Sequence, residues 1–126
     1  MTGNGSKKLL VVDDEPSICA LVCRVAEAAG YEVAAAATHE EFTRAYDSLA
    51  PNVIAMDLVM PQVDGIALLE ILAEKRCRAK IIVMTGHHPE LLKSAARIAA
   101  GHGLDIRDTL HKPFGESELR RVLTTA

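Results

Sequence analysis

The sequence predicts an α/β protein in which a parallel sheet of five strands carries helices on both faces. Five short apolar runs alternate with five segments of helical spacing along the 126 residues. This alternation favours a parallel sheet, because each connection between parallel strands must cross over the sheet, usually as a helix. No glycine- or proline-rich linker divides the chain, so we expect a single domain with one core.

The first strand and helix follow directly from the residue pattern. Residues 9–12 form an apolar run that ends in three acids, residues 13–15. Pro16 can open a helix, because the first turn does not use the N–H that proline lacks. Apolar side chains then recur at helical spacing through residues 17–29, and Gly30 ends the helix.

The second strand is predicted more weakly than the helix that follows it. Residues 32–36 contain three alanines, which pack poorly on a sheet, so their position before a helix start is the better argument. Thr38 and Glu41 have the spacing of a capping box, which predicts a helix from there to about Leu49. Pro51 ends that helix.

The third strand delivers a carboxylate to its carboxyl end. Residues 53–56 are apolar with β-branched residues at the front, which favours a central strand buried on both faces, and Asp57 follows them. Ligands of open α/β sheets bind beyond this end of the strands, although the run alone fits a solvated loop aspartate equally well. Pro61 and Asp64 mark the following loop, and a third helix is expected over residues 65–75.

The last two strand–helix pairs complete the alternation. Residues 80–84 predict a fourth strand, and residues 90–100 a fourth helix closed by Gly101. The fifth strand, residues 106–110, is interrupted by charges, which suggests a sheet edge or an irregular entry. Residues 116–123 predict the last helix.

Composition restricts the class of protein. The chain is 49% hydrophobic and 25% charged, and its apolar runs are too short to span a bilayer. A net charge of −3 argues against nucleic acid as a direct partner. Residues 1–7 are polar and lack the apolar core of a secretory signal, so they predict a flexible tail, a domain over residues 8–126 and a cytoplasmic protein.

The three cysteines do not predict a metal or redox site. Cys19 and Cys23 lie four residues apart on the first helix, and Cys77 lies far away in the chain. This spacing is not that of a CxxC motif, and no further ligands accompany it. The simplest interpretation is three small apolar side chains of a reduced protein.

Polar side chains at the carboxyl ends of four strands predict one site. They are Asp13, Asp14, Asp57, Thr85 and Lys112. If these strands are neighbours, the three carboxylates converge, and two such charges ~4 Å apart repel by roughly 4 kcal/mol at an effective dielectric near 20. A hard divalent cation, Mg²⁺ or Mn²⁺, would relieve that repulsion. A carboxylate nucleophile, a metal, a lysine and a hydroxyl together indicate phosphoryl transfer onto Asp57.

At this point the sequence resembles the receiver domains of two-component response regulators. The resemblance rests on residues 11–15, on Asp57 to Pro61 with Asp64-Gly65, on Thr85-Gly86, and on Lys112-Pro113-Phe114. It extends from about Lys8 to Leu123. It implies a flavodoxin-like, doubly wound fold in three layers, with five helices and the strand order 2-1-3-4-5.

The resemblance also implies roles for the residues that match. Asp57 would accept a phosphoryl group from a sensor histidine kinase or a histidine phosphotransfer protein. Mg²⁺ would be bound by Asp14, Asp57 and the Val59 carbonyl, and by Asp13 through water. Lys112, with a cis bond to Pro113, would pair with the phosphoryl group. The domain would then be a phosphoacceptor rather than an enzyme, promoting only its own phosphorylation and dephosphorylation.

Three further positions would control the switch. Thr85 would be the switch hydroxyl, while Val59 and His87 occupy positions where relatives tune the loss of the phosphoryl group. His88, before Pro89, fits a helix cap better than a metal ligand. A homodimer or an output domain would use the face between the fourth and fifth helices.

Two departures from the family keep other functions open. Thr109 stands where the family usually has a switch aromatic, so a receiver-like binding module uncoupled from phosphorylation is an alternative. The segment 101–105 lengthens the connection after the fourth helix, on a surface that commonly contacts partners. A Mg²⁺-dependent phosphohydrolase of the haloacid dehalogenase type is a second alternative, but it would need an aspartate where Val59 stands.

Overall fold

A computed structural model describes residues 7–61 and 63–126, and its centre is a five-stranded parallel sheet between two layers of helices. The strands are β1 (Lys7–Val12), β2 (Tyr31–Ala36), β3 (Val53–Asp57), the short β4 (Val59–Met60) and β5 (Val63–Asp64), β6 (Lys80–Thr85) and β7 (Asp105–His111). The helices are α1 (Pro16–Ala28), α2 (His39–Leu49), α3 (Gly65–Glu74), α4 (Pro89–His102) and α5 (Glu116–Thr125). The sheet order is β2-β1-β3-β6-β7, which confirms the predicted order 2-1-3-4-5.

Two apolar cores lie on opposite faces of the sheet. Leu10, Ile54 and Ile81 face the layer formed by α2, α3 and α4. Leu9 and Ile82 face the layer formed by α1 and α5. Because both faces are covered, the central strands are apolar without alternation, as their sequences predicted.

Two of the predicted helix starts, those of α2 and α3, are confirmed by side-chain hydrogen bonds, whereas the His88 side chain makes no cap bond at α4. The Glu41 N–H donates to Thr38 Oγ1 at 3.1 Å, and Glu41 Oε1 accepts from the Ala37 N–H at 2.8 Å. The Ile66 N–H donates to Asp64 Oδ1 at 2.9 Å, which caps α3. These side chains satisfy N–H groups that have no partner within the first helical turn.

The predicted end of α4 is wrong by two residues. The helix continues through Gly101 to His102, and Gly103 follows it with a φ of 72°. A left-handed residue commonly terminates a helix, because it turns the chain back so that the last carbonyl groups find partners. Gly103 has that conformation, and its N–H bonds to the Ala99 carbonyl.

Two details of the sheet differ from the prediction or refine it. The loop after β3 contains the short antiparallel pair β4–β5, where only a loop was expected. The charged strand β7 lies at the sheet edge, and its register shifts where Ile81 pairs with Ile106 but Ile82 pairs with Asp108. The expectation of an edge strand with an irregular entry is therefore confirmed.

The N-terminal prediction is only partly covered by the structure. Residues 1–6 of the predicted tail lie outside the described residues, as does Gln62. Lys7, which the sequence assigned to the tail, begins β1 because it pairs with Tyr31 of β2. In the part of the chain that the structure describes, no helix is both long and apolar enough to cross a membrane.

Candidate functional site

Three carboxylates converge at the carboxyl ends of β1 and β3. Val12 pairs with Met56, so Asp13 and Asp57 lie at the same edge of the sheet. Both are buried, whereas Asp14 is exposed. Ligand oxygens of the three lie within 4.8 Å of one another. The predicted acidic cluster is therefore present.

Lys112 enters this cluster from the end of β7. Its Nζ lies 2.8 Å from Oδ2 of Asp13 and 2.8 Å from Oδ2 of Asp57. Its backbone N–H donates to the Thr85 carbonyl at 2.7 Å. The Lys112–Pro113 peptide is cis, which confirms the expectation. One ammonium group thus bridges the two buried acids.

Backbone N–H groups orient both buried carboxylates. The Glu15 N–H donates to Asp13 Oδ1 at 2.9 Å, and the Val59 N–H donates to Asp57 Oδ1 at 2.9 Å. Each acid is therefore held at one oxygen by the following loop and at the other by Lys112. The Val59 side chain is 44% exposed and stands at the mouth of the site.

Burial and charge act on the ionisation of the site in opposite directions. Desolvation raises the pKa of Asp13 above its ordinary value, even though Lys112 and the Glu15 N–H favour the carboxylate. Desolvation would lower the pKa of Lys112, but its contacts with Asp13 and Asp57 outweigh it and raise that pKa. Lys112 therefore keeps its charge at neutral pH, and the two buried acids Asp13 and Asp57 share it. This oxygen-rich, anionic donor set suits Mg²⁺ or Mn²⁺.

Thr85 supplies a hydroxyl beside the acids. It ends β6, which lies next to β3 in the sheet. Asp57 of β3 pairs with Met84 of β6, the residue before Thr85. Thr85 is fully buried, and its Oγ1 has no hydrogen-bond partner among the described residues. A buried hydroxyl without a partner costs stability, and an oxygen of a ligand bound beside the acids would supply that partner.

Comparison with known proteins identifies the family. A family model of the response regulator receiver domain matches residues 9–124. The chain belongs to the response regulator receiver family. Such domains work in two-component systems.

The similarity to individual relatives covers nearly the whole chain. This chain is 32% identical to the chemotaxis protein CheY of Thermotoga maritima over 118 residues, which cover 93% of this chain and 94% of CheY. It is also 32% identical over 114 residues to the alkaline phosphatase synthesis transcriptional regulatory protein PhoP of Bacillus subtilis, covering 90% of this chain. Those residues are 45% of PhoP, so the chain spans less than half of that relative.

Solved structures show the same architecture. A response regulator from Colwellia psychrerythraea has a TM-score of 0.77 and 32% identity, with 95% of each chain covered. A signal receiver domain from Bermanella marisrubri has a TM-score of 0.79 and 28% identity, covering 93% of this chain and 95% of its own.

Two contacts of the receiver site were not predicted from the sequence. Glu15 Oε1 lies 3.4 Å from Lys112 Nζ, which makes it a third acid beside that ammonium. The Cys19 thiol donates to the Asp13 carbonyl at 3.3 Å. The run of acids after β1 contains a signal for Glu15, but nothing in the local sequence indicates the Cys19 contact.

The geometry of Cys19 agrees with a structural thiol. Burial, with a smaller effect from the charge of Asp13, raises the pKa of Cys19 to about 11. The thiol is therefore protonated at neutral pH, where only a thiolate would act as a nucleophile or metal ligand.

The remaining predicted residues lie outside the acidic cluster. His87 and His88 are exposed in the loop after β6, and neither belongs to the acidic cluster within the described residues. Thr109 of β7 pairs with Val83 of β6, so it lies two strands away from Asp57 of β3. It lines an apolar groove of about 290 Å³ between α4 and β7, together with Val83, Leu92, Lys93, Ala95, Ala96 and Ile106. The space beside Thr109 is thus open.

Proposed function

We propose that Asp57 is the phosphoacceptor of this receiver domain and that a sensor histidine kinase or histidine phosphotransfer protein supplies the phosphoryl group. The observation that supports this most is the position of Asp57, a buried carboxylate held by Lys112 at 2.8 Å and by the Val59 N–H at 2.9 Å. A carboxylate oxygen of Asp57 attacks phosphorus, and the phosphorus–nitrogen bond of the phosphohistidine breaks. The donor histidine keeps that electron pair, and the product is an aspartyl phosphate.

The residues around Asp57 carry separate parts of the transfer. Lys112 remains protonated and pairs with a phosphoryl oxygen, while the unpartnered Thr85 hydroxyl donates to another. Asp14, Asp57 and the Val59 carbonyl would hold Mg²⁺ or Mn²⁺ directly, and Asp13 through water. When bound, the metal supplies positive charge that offsets the acids and the phosphoryl oxygens.

The alternative functions fit the site less well. Val59 stands two residues after Asp57 with an exposed apolar side chain, where a phosphohydrolase of the haloacid dehalogenase type would need a second aspartate. We therefore assign the domain as a phosphoacceptor that promotes only its own phosphorylation and dephosphorylation. Val59 and His87, both exposed at the mouth, would set how readily water reaches the acyl phosphate.

A homodimer or an output domain would use the face formed by α4, β7 and α5.

Acetyl phosphate tests this function and its metal dependence. With Mg²⁺ present, intact mass should show a single phosphoryl adduct, and EDTA should abolish it, because the clustered acids repel an uncompensated phosphoryl group. Asp14→Asn removes an exposed metal ligand without disturbing the core, so it should slow adduct formation by at least about tenfold, on the order of the loss of one metal-ligand contact. An adduct that forms at full rate in EDTA would contradict the metal site.

The switch role of Thr85 can be tested with beryllofluoride, a phosphoryl mimic. Thr85→Ala should fold normally, because the hydroxyl has no hydrogen bond to lose among the described residues. It should still bind the mimic but lose most of the backbone amide shifts at Gly86, His87 and the start of α4. Thr109→Ala is the matched control and should keep most of them, since Thr109 fills little of its groove. A full response in Thr85→Ala, or a collapse in Thr109→Ala alone, would show that the signal takes another route.

A further inference from the structure

Positive charge is concentrated at the end of the sheet opposite the acidic site. Six of the 14 lysines and arginines lie in two short segments, at the start of β1 and around the start of β6. They are Lys7, Lys8, Lys75, Arg76, Arg78 and Lys80. Acids lie at this end too, since Glu32 is the sheet partner of Lys8 and Asp105 is that of Lys80. β3 separates it from Asp57 by roughly 13 Å, at about 3.3 Å per residue.

A cleft of about 600 Å³ opens among these residues, at the amino ends of the sheet strands. Lys7, Arg78 and Lys80 line it together with two tyrosines, Tyr31 and Tyr46. We call it the basal cleft. Its size is that of a small-molecule site, whereas a nucleic acid or a membrane would meet a broad convex or flat surface.

The cations of the basal cleft lack carboxylate partners. Over residues 7–61 and 63–126, no carboxylate oxygen lies within 4.0 Å of the charged nitrogens of Lys7, Arg78 or Lys80. Lys7 instead stands 5.5 Å from the centre of the Tyr31 ring. Three unpaired cations around one concavity repel one another, and an anion bound between them would remove that repulsion.

The carboxylate side chain that lines the cleft is already paired. Asp47 lines the cleft, but its Oδ1 is 3.0 Å from Lys75 Nζ and is thus neutralised. Ala126 also lines the cleft. A neutral donor adds to the cations, because Asn52 accepts the Lys8 N–H at 2.8 Å through its Oδ1 and leaves its NH₂ group to donate elsewhere.

We propose that the basal cleft is a second binding site of this domain and takes a small polyanion carrying two or more phosphate groups. Two lysines and an arginine can share the oxygens of adjacent phosphates, with charge-assisted hydrogen bonds. This site is independent of Asp57 chemistry and goes beyond the proposed function.

Pyrophosphate is the probe that tests this site. In metal-free buffer of low ionic strength, a titration followed by backbone amide NMR shifts should saturate. The shifts should concentrate at Asn52, Val53, Ala79 and Lys80 and leave Val59 and Gly86 unmoved. Arg78→Gln/Lys80→Gln should weaken binding by at least about tenfold, because it removes two charge-assisted contacts. Shifts that never saturate, or that centre on Val59 and Gly86, would overturn the proposal.

A matched double variant tests whether pyrophosphate binds to the side chains of the basal cleft or only follows the net charge of the protein. Lys93→Gln/Arg97→Gln removes the same two residue types from exposed positions on α4 and should leave the affinity within about twofold. An equal loss of pyrophosphate affinity in both double variants would mean that binding depends on net charge alone, which would contradict the proposal. A duplex DNA that binds more tightly than pyrophosphate and loses as much affinity in Arg78→Gln/Lys80→Gln would show a nucleic-acid surface instead.

Discussion

Replacing Asp57 with asparagine is expected to abolish the phosphoryl adduct that acetyl phosphate forms in the presence of Mg²⁺. An amide oxygen is a poor nucleophile, and the substitution also removes one of the proposed metal ligands. The variant should remain folded, because the single amide oxygen of asparagine can still accept the Val59 N–H, and Lys112 keeps its contact with Asp13. Intact mass measured over a time course, with circular dichroism on the same sample, checks both parts of this expectation.

Asp64→Asn is the matched control for that experiment. Asp64 lies in the same loop region, but it is exposed and caps α3 through the Ile66 N–H. Asparagine caps a helix about as well as aspartate, so both stability and adduct yield should stay close to those of the parent. If Asp57→Asn still forms the adduct at full yield while Asp64→Asn does not, the acceptor has been assigned to the wrong carboxylate.

The largest loss of stability is expected from Gly65→Ala. A Cβ at this position would lie 2.5 Å from the Leu58 Cα and 2.8 Å from the Leu58 carbonyl oxygen. Both atoms belong to the backbone of the residue that follows Asp57, so they cannot move aside as the end of a flexible side chain would. Overpacking of this kind costs about 1–3 kcal/mol or more, which lowers the melting temperature by roughly 5–10 °C in a domain of this size. Thermal unfolding followed by circular dichroism measures the shift.

Gly101→Ala offers a control with the opposite sign. Gly101 lies inside α4, and a Cβ there would meet nothing within 4 Å. Alanine is a better helix former than glycine, so this variant should be more stable by about 0.5–1 kcal/mol. Equal melting temperatures for Gly65→Ala and the parent would show that the loop after β3 adapts more easily than its backbone contact indicates.

The clash in Gly65→Ala should also affect the position of Asp57. Leu58 lies between Asp57 and Val59, whose N–H orients the Asp57 carboxylate at 2.9 Å. A displaced Leu58 would therefore misalign the nucleophile, and Gly65→Ala should slow phosphorylation even at temperatures where it is folded. Gly101→Ala should leave that rate unchanged.

Local pattern was sufficient for most elements and for the composition of the site. The apolar runs before Asp13 and Asp57 predicted buried strands, because a strand covered on both faces must be apolar throughout. The capping box at Thr38 and the cap at Asp64 were likewise readable, since capping is an interaction between residues two or three positions apart. The end of α4 could not be predicted from local pattern, because Gly101 and Gly103 offer the same local signal and only the backbone conformation distinguishes them.

Residue chemistry and spacing determined which side chains could form the acidic site, namely the acids after two strands, a threonine and a lysine. The tertiary structure decided which of them meet. The order β1-β3-β6-β7 brings Lys112 to 2.8 Å from Asp13 and Asp57, and the packing of α1 brings Cys19 to the Asp13 carbonyl. The same register gathers Lys7 and Lys80 at the other end of the sheet, although they are far apart in sequence. Local periodicity reports only what each segment buries, whereas contacts between segments depend on strand order and register, which the whole chain sets at once.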